Sequence, residues 1–323
     1  MKESKPLVSF ILTYYNLPVP MLCECIDSIL ALSLQPSERE IIVIDDGSDT
    51  SPMNGLMHYG DDIVYMRQPN GGVSVARNTG LNVARGTFVQ FVDGDDRLLT
   101  EHYNQCLDTI RHHQDAEVVL FDFTHGEAQA TILQPPHPTS GAELMRRQNI
   151  RGAVCCCLFR QTVRGALEFT PGIAYAEDEE FMPQLLLRAE SVYTLPVQAY
   201  YYRRRNTSAI HRHDPQSVSR RLDDTLRVIR SLHRQEDRLP QADRLAMQRR
   251  VAQLTMDYLY NTIVLTRSAD ELSSRMEQLH QDGLFPLPDR DYSAKYTWFR
   301  RLSNTTLGRQ LLLRTLPYMK RER

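Results

Sequence analysis

Residues 71 to 96 of this 323-residue chain read GGVSVARNTGLNVARGTFVQFVDGDD. An amphipathic helix carrying Arg77 and Asn78 runs into an apolar strand that stops on three carboxylates. Val89, Phe91 and Val92 commit that strand to a core, and Asp93, Asp95 and Asp96 emerge where it ends. Clustered acids at the end of a buried strand cost free energy unless positive charge meets them. In open α/β sheets the carboxyl ends of the strands are where ligands bind. The Asp-x-Asp spacing suits a hard cation that prefers oxygen ligands.

Composition narrows the class only a little. Hydrophobic content of 41% and charged content of 24% belong to an ordinary soluble protein. A net charge of -2 gives no reason to expect nucleic-acid binding. Six cysteines stand at 23, 25, 106, 155, 156 and 157. The three in a row, inside the apolar run from Ala153 to Phe159, read as small buried hydrophobes in a reducing compartment. A zinc site is the rival reading, but the paired Cys-x-x-Cys spacing is missing. The apolar part of MKESKPLVSFILTYYN is too short for a secretory core. No run approaches the roughly 20 apolar residues that span a bilayer. A cytoplasmic protein is expected.

The first 125 or so residues alternate strand and helix. Leu7 to Thr13, Glu40 to Ile44, Asp62 to Met66, Thr87 to Val92 and Glu117 to Phe123 are short runs rich in Val, Ile and Phe. Met21 to Leu32, Val73 to Ala84 and Glu101 to His113 have helical spacing. Such alternation implies a parallel sheet with right-handed crossovers. Further helices are predicted over Gly141 to Asn149 and Glu179 to Glu190, with Pro183 in a first turn. The cysteine run reads as a strand, and Ser191 to Arg204 as two short ones. Beyond Pro215 the pattern is helical, which places a boundary between 1–214 and 215–323.

Polar residues gather at the ends of three predicted strands. The first ends in Thr13-Tyr14-Tyr15-Asn16 and the second in Asp45-Asp46-Gly47-Ser48-Asp49. Acids there can accept from a base N–H or a ribose hydroxyl, or can form an Asx-turn with a helix cap. Arg77 follows Gly71-Gly72 by one helical turn, where a helix N-terminus attracts phosphate. A solvated arginine after an ordinary glycine turn is the bland alternative.

The ordered set TYYN, DDGSD, PNGG, ARN, DGDD and EDEEF resembles glycosyltransferase family 2, over roughly residues 6 to 210. The resemblance implies the GT-A fold, a Rossmann-like mixed α/β sheet flanked by helices, here followed by a C-terminal helical region. It implies a nucleotide-sugar donor, most simply a UDP-sugar, and a Mg²⁺ or Mn²⁺ ion bridging the diphosphate. Thr13, Asp46 and Asn70, with Asp45 beside them, are expected to border the nucleoside. Arg77 is expected at the base or the diphosphate, Asp93 near the ribose and Asp95 on the metal. Thr13 stands where members commonly place proline.

Breaking a sugar C1–O bond releases a diphosphate whose charge a divalent ion can neutralise. One or two carboxylates suffice to hold that ion, because phosphate oxygens and waters complete its shell. The acceptor hydroxyl needs a base. Glu177-Asp178-Glu179-Glu180 could be no more than a capped, acid-rich helix start. By resemblance, Asp178 is the base of an inverting displacement, with Glu177 as its substitute. Arg203, Arg204, Arg205, Ser208, His211 and His213 form a polar cluster in which His211 is a candidate metal ligand, or else a solvated basic loop.

From Arg300 to Arg323 seven basic residues meet one acid, alongside Leu307, Leu311, Leu312 and Leu316. Such a helix can lie on an anionic membrane, where a lipid-linked acceptor would be found, or can pack on the catalytic domain. The expected acceptor is a glycan or lipid-linked hydroxyl in cell-surface polysaccharide synthesis. A sugar-phosphate nucleotidyltransferase is a second class, but its glycine-rich basic loop is absent from YYNLPVPM. A non-catalytic nucleotide-sugar sensor is a third, opposed by the intact Asp95 and Asp178. No Gly-x-Gly-x-x-Gly follows the first strand, which disfavours a dehydrogenase.

Overall fold

The computed structural model describes residues 5–129, 137–205 and 214–319. The chain divides into two compact units, Met1–Gly141 with Gly152–Asn206 and Ala142–Arg151 with Thr207–Arg323. Among the described residues no helix is long and apolar enough to cross a membrane.

The first unit is built on an eight-stranded sheet. Its strands are β1 Val8–Tyr14, β2 Arg39–Asp45, β3 Ile63–Arg67, β4 Phe88–Asp93, β5 Arg97–Leu98, β6 Val118–Thr124, β7 Cys157–Arg160 and β8 Val192–Tyr201. They lie in the order β3-β2-β1-β4-β7-β6-β8-β5. The interiors of β1, β2 and β4 are buried on both faces, which explains their near-continuous Val, Ile and Phe. Helices α1 Val19–Leu30, α2 Met53–Leu56, α3 Val73–Val83 and α4 Thr100–His112 fill the crossovers. α1 buries Leu22, Cys25, Ile26 and Ile29 at helical spacing. Each such aliphatic side chain contributes about 1.5–3 kcal/mol.

Parallel register sets the site. Thr13 pairs with Asp93, and Tyr14 with Asp45, so β1, β2 and β4 end together at one edge. Gly47 follows with φ +77°, and a Cβ there would lie 2.6 Å from the Asn70 nitrogen. Only glycine lets the turn after β2 press on the loop before α3.

Strand–helix alternation in the first 125 residues implies parallel strands and the family resemblance a mixed sheet; the sheet is mixed. β7 runs antiparallel to both β4 and β6, and β5 antiparallel to β8. The cysteine run does not form one strand: Val154–Cys156 is a 3₁₀ turn and the strand begins at Cys157. All six cysteines are free, and five are buried, as the packing reading requires. β8 is one strand where two were expected. Pro196 hides its continuity, because the β6 register shifts between Thr194 and Gln198 and a bulge accommodates the missing N–H. After α5 Gly141–Arg147 and α6 Gln161–Arg164 comes α7 Glu177–Leu186. It starts two residues before the expected Glu179, so Pro183 lies inside the helix and not in its first turn.

The second unit holds most of α5, then α8 Pro215–Gln235, α9 Gln241–Thr266, α10 Ala269–Gln281, α11 Ala294–Ser303 and α12 Thr306–Thr315. Buried arginines explain why 142–151 belongs with it. Arg249 donates to the Met145 and Gln148 carbonyls at 3.2 and 2.8 Å, and Arg250 to the Ile150 carbonyl at 2.9 Å. Burial pulls the Arg250 guanidinium down to about 10.

Candidate active site

Two groups of acids stand at the shared strand edge, and they are wired differently. Asp45 is wholly buried; it accepts from the Ser48 N–H at 2.9 Å and the Tyr65 hydroxyl at 2.8 Å. Asp46 accepts from Gln68 Nε2 at 2.7 Å and from the Gly71 and Gly72 N–H groups at 2.9 and 2.8 Å. Asn70 Nδ2 adds a bond to the Asp46 carbonyl at 2.9 Å. These acids are saturated mainly by neutral donors. They hold the loop over residues 68–72 and the start of α3 in place, with Asn70 exposed above them. Asp45 has the turn-forming role that sequence left open as an alternative.

The second group has more negative than positive charge. Asp93, Asp95 and Asp96 come from the end of β4, and Glu177 and Asp178 from the first turn of α7. The Arg77 guanidinium reaches across from α3. Nη1 donates to Glu177 Oε1 at 2.9 Å and Asp178 Oδ1 at 2.5 Å, and Nη2 to Asp93 Oδ1 at 3.3 Å. It lies against the rings of Phe91 and Phe169, with centroids at 5.8 and 5.2 Å. The Arg77 side chain is only 4% exposed. Burial opposes its charge, but the three carboxylates more than offset this and raise its pKa. Sequence placed Arg77 at the base or diphosphate; in the structure its guanidinium is turned inward onto acids. The warning was a cation in the apolar stripe of α3, beside Ala76, Gly80 and Leu81.

Asp178 does not cap its helix. Ala176, in the left-handed region at φ +65°, is the N-cap residue and Asp178 is the second residue of α7. Its other oxygen accepts from the Val154 N–H at 3.3 Å. Burial, reinforced by Glu177 and Asp93, pushes the carboxyl up to about 8 against the pull of Arg77. One guanidinium cannot hold three ionised carboxylates comfortably.

The three acids after β4 divide their work. Asp96 is buried, accepting from the Tyr200 hydroxyl at 2.8 Å and the Arg203 N–H at 2.7 Å. Tyr200 also accepts from the Asp93 N–H at 3.1 Å, so it braces both ends of the loop. Burial and the charges of Asp93 and Asp95 push Asp96 up to about 8. Asp95 is pushed up too, by burial and by Asp93, although Arg205 Nε stands 2.6 Å from its Oδ2. That contact is one of charge, since Arg205 Nε lacks a well-aligned hydrogen bond. Sequence missed the bracing roles of Tyr200 and Arg203.

Five carboxylates share this edge with the guanidiniums of Arg77 and Arg205, while the Arg203 guanidinium pairs with Glu24. Arg205 is the cation now standing against Asp95. Among the described residues no three His, Cys, Asp or Glu side chains converge as a closed metal cage. Thr13 Oγ1 lies 3.4 Å from Asp93 Oδ1 at the same edge. The structure thus gathers Thr13, Asp93, Asp95, Glu177 and Asp178 around Arg77 and the β4 end. Asp45, Asp46 and Asn70 form the adjoining turn. His211 lies outside the described residues.

The profile of glycosyl transferase family 2 matches residues 9–168. The uncharacterized glycosyltransferase EpsJ of Bacillus subtilis is 32% identical over 214 residues, 61% of either chain. The present chain thus spans less than two thirds of that relative's length. S. aureus TarS 1–349 in complex with UDP-GlcNAc superposes with a TM-score of 0.61 at 17% identity, covering 96% of this chain and 88% of that one. The mannosyltransferase PcManGT from Pyrobaculum calidifontis, in complex with GDP-Man and Mn²⁺, gives 0.56 at 14% identity, covering 99% and 89%. The fold is that of the GT-A glycosyltransferases, with a helical region after it. By its matched sequence, the stretch 9–168 of this chain belongs to glycosyl transferase family 2.

Proposed function

We propose that this protein transfers a sugar, with inversion, from a nucleoside-diphosphate sugar to the hydroxyl of a glycan or lipid-linked acceptor. The observation that carries the reading is the placement of Asp178, held by the buried Arg77 beside Glu177 and Asp93, where burial raises its pKa. A carboxylate of ordinary acidity is a weak base; one titrating near neutrality is far better matched to a hydroxyl proton. Asp178 takes that proton as the acceptor oxygen bonds to C1, and the C1–O bond breaks with its electron pair leaving on the diphosphate. Arg77 fixes the carboxylate's direction. Glu177, on the same guanidinium, is the substitute base.

Asp95 would hold a Mg²⁺ or Mn²⁺ ion, which when bound supplies Lewis-acid shielding of the departing diphosphate. His211 is a further candidate ligand. Asp93 would lie near the ribose, and Thr13, Asp46 and Asn70, with Asp45 beside them, would border the nucleoside. A UDP-sugar is the favoured donor, because TarS, which shares the fold, is known with UDP-GlcNAc. Cell-surface polysaccharide synthesis at the cytoplasmic face of the membrane is the setting, with peripheral membrane association through the C-terminal helices.

The test incubates purified protein with Mn²⁺ and a panel of nucleotide sugars, following nucleotide release with and without acceptors. Release from one UDP-sugar, lost in Asp178→Asn with donor binding retained, is the expected result. Asp178→Asn with most of its turnover intact removes the base assignment.

A further inference from the structure

The end of the second unit has a charge pattern found nowhere else in it. Residues 214–293 contain 13 acids and 12 Lys or Arg residues, whereas 294–319 contain five basic residues and no acid. Arg300 is tied to Asp289 at 2.6 Å, and Arg309 to the Ser303 carbonyl at 2.9 Å. Arg301 and Arg314 are exposed and form no ion pair among the described residues.

Large apolar side chains stand among these charges. On α12, Leu307 and Leu311 share one helical face with Arg314, and Tyr318 continues the line. Leu307 and Tyr318 are each 80% exposed. On α11, Trp298 is half exposed, with Lys295 and Arg301 one turn away on either side. Solvent-facing Leu, Trp and Tyr beside unpaired Arg are the ingredients of an interfacial helix: apolar groups enter the headgroup boundary while cations meet anionic lipid. Aromatic residues with a polar edge favour that same boundary.

We infer that the exposed faces of α11 and α12 form a docking surface for an anionic lipid bilayer. This sharpens the membrane association named above and rests on no part of the sugar-transfer chemistry, so the two ideas fail separately. Docking is reversible and salt-sensitive, because electrostatic attraction falls off within a Debye length of about 10 Å at 0.1 M salt.

The experiment sediments the full chain with vesicles of phosphatidylcholine alone or mixed with phosphatidylglycerol, at low and high salt. Expected are capture by the mixed vesicles only, and release at high salt. Leu307→Glu/Leu311→Glu and Arg301→Glu/Arg314→Glu should each cut capture about tenfold, with far-UV circular dichroism unchanged. Equal capture by both vesicle types, no capture at all, or full capture of both folded variants overturns the proposal. So does light scattering showing a dimer that the leucine variant splits, since a second copy would then be the occupant.

Discussion

The two acid groups at the sheet edge sit close together and do opposite things. Asp45 and Asp46 are paired largely with neutral N–H and O–H donors, which costs little and fixes a shape. Asp93, Glu177 and Asp178 crowd around one guanidinium, and Asp95 leans on Arg205. A saturated carboxylate is a building part. A carboxylate held in excess of its counter-charge stores unfavourable energy that a ligand can release. The comparison therefore shows a turn fixed by its hydrogen bonds at the end of β2, and crowded negative charge at the end of β4 and the start of α7.

The sharpest way to break this contrast is Asp178→Asn. Turnover should fall about 10³-fold while UDP-sugar affinity, measured by titration calorimetry, stays within a few fold. The next effect in size is Asp95→Asn, which should abolish the tightening of donor binding by Mn²⁺, a loss of about tenfold or more. Asp46→Ala should instead act on stability. It strands the Gly71 and Gly72 N–H groups and the Gln68 amide, at a cost of about 2–4 kcal/mol in urea unfolding.

pH separates the two groups more finely. A base must be ionised, so kcat/KM should climb as pH rises toward about 8 and level off above it. Stability should move the other way. Because the folded pKa of Asp178 lies above its unfolded value near 3.8, the protein binds an extra proton between those pH values. That contribution is full below the unfolded pKa and is lost as pH rises through about 8. Asp178→Asn should therefore melt higher than the parent at pH 9, by a few degrees, with the gap narrowing toward pH 5. A parent protein that gains stability over this range relative to the variant would contradict the crowding argument.

Much of this was legible in the sequence for physical reasons. Parallel strands buried on both faces write themselves as apolar runs, as β1, β2 and β4 do, and the apolar residues of β3 and β6 mark those strands too; all five agree with the sequence reading within a residue or two. Their common edge made Thr13, Asp45 and Asp93 neighbours by register alone. What could not be read depends on contacts without local signature. β5 has two residues, too few for any period. The Arg77 contacts span 100 and 101 residues to Glu177 and Asp178. Nothing in the spacing says that α3 and α7 converge, so the contacts of Arg77 with Glu177 and Asp178 have no sequence signal. Tyr200 and Arg203 escaped for the same reason: a tyrosine in an aromatic strand and an arginine in a basic run look like packing and solvation until Asp96 is seen between them.

One titration tests the central claim most directly: UDP added to the purified protein with and without Mn²⁺, for the parent and for Asp95→Asn. If the acids after β4 hold a dication against a diphosphate, Mn²⁺ should tighten UDP binding in the parent by about tenfold or more and leave the variant unmoved. Equal UDP affinity in all four titrations would mean that the excess charge at this edge serves no such ion.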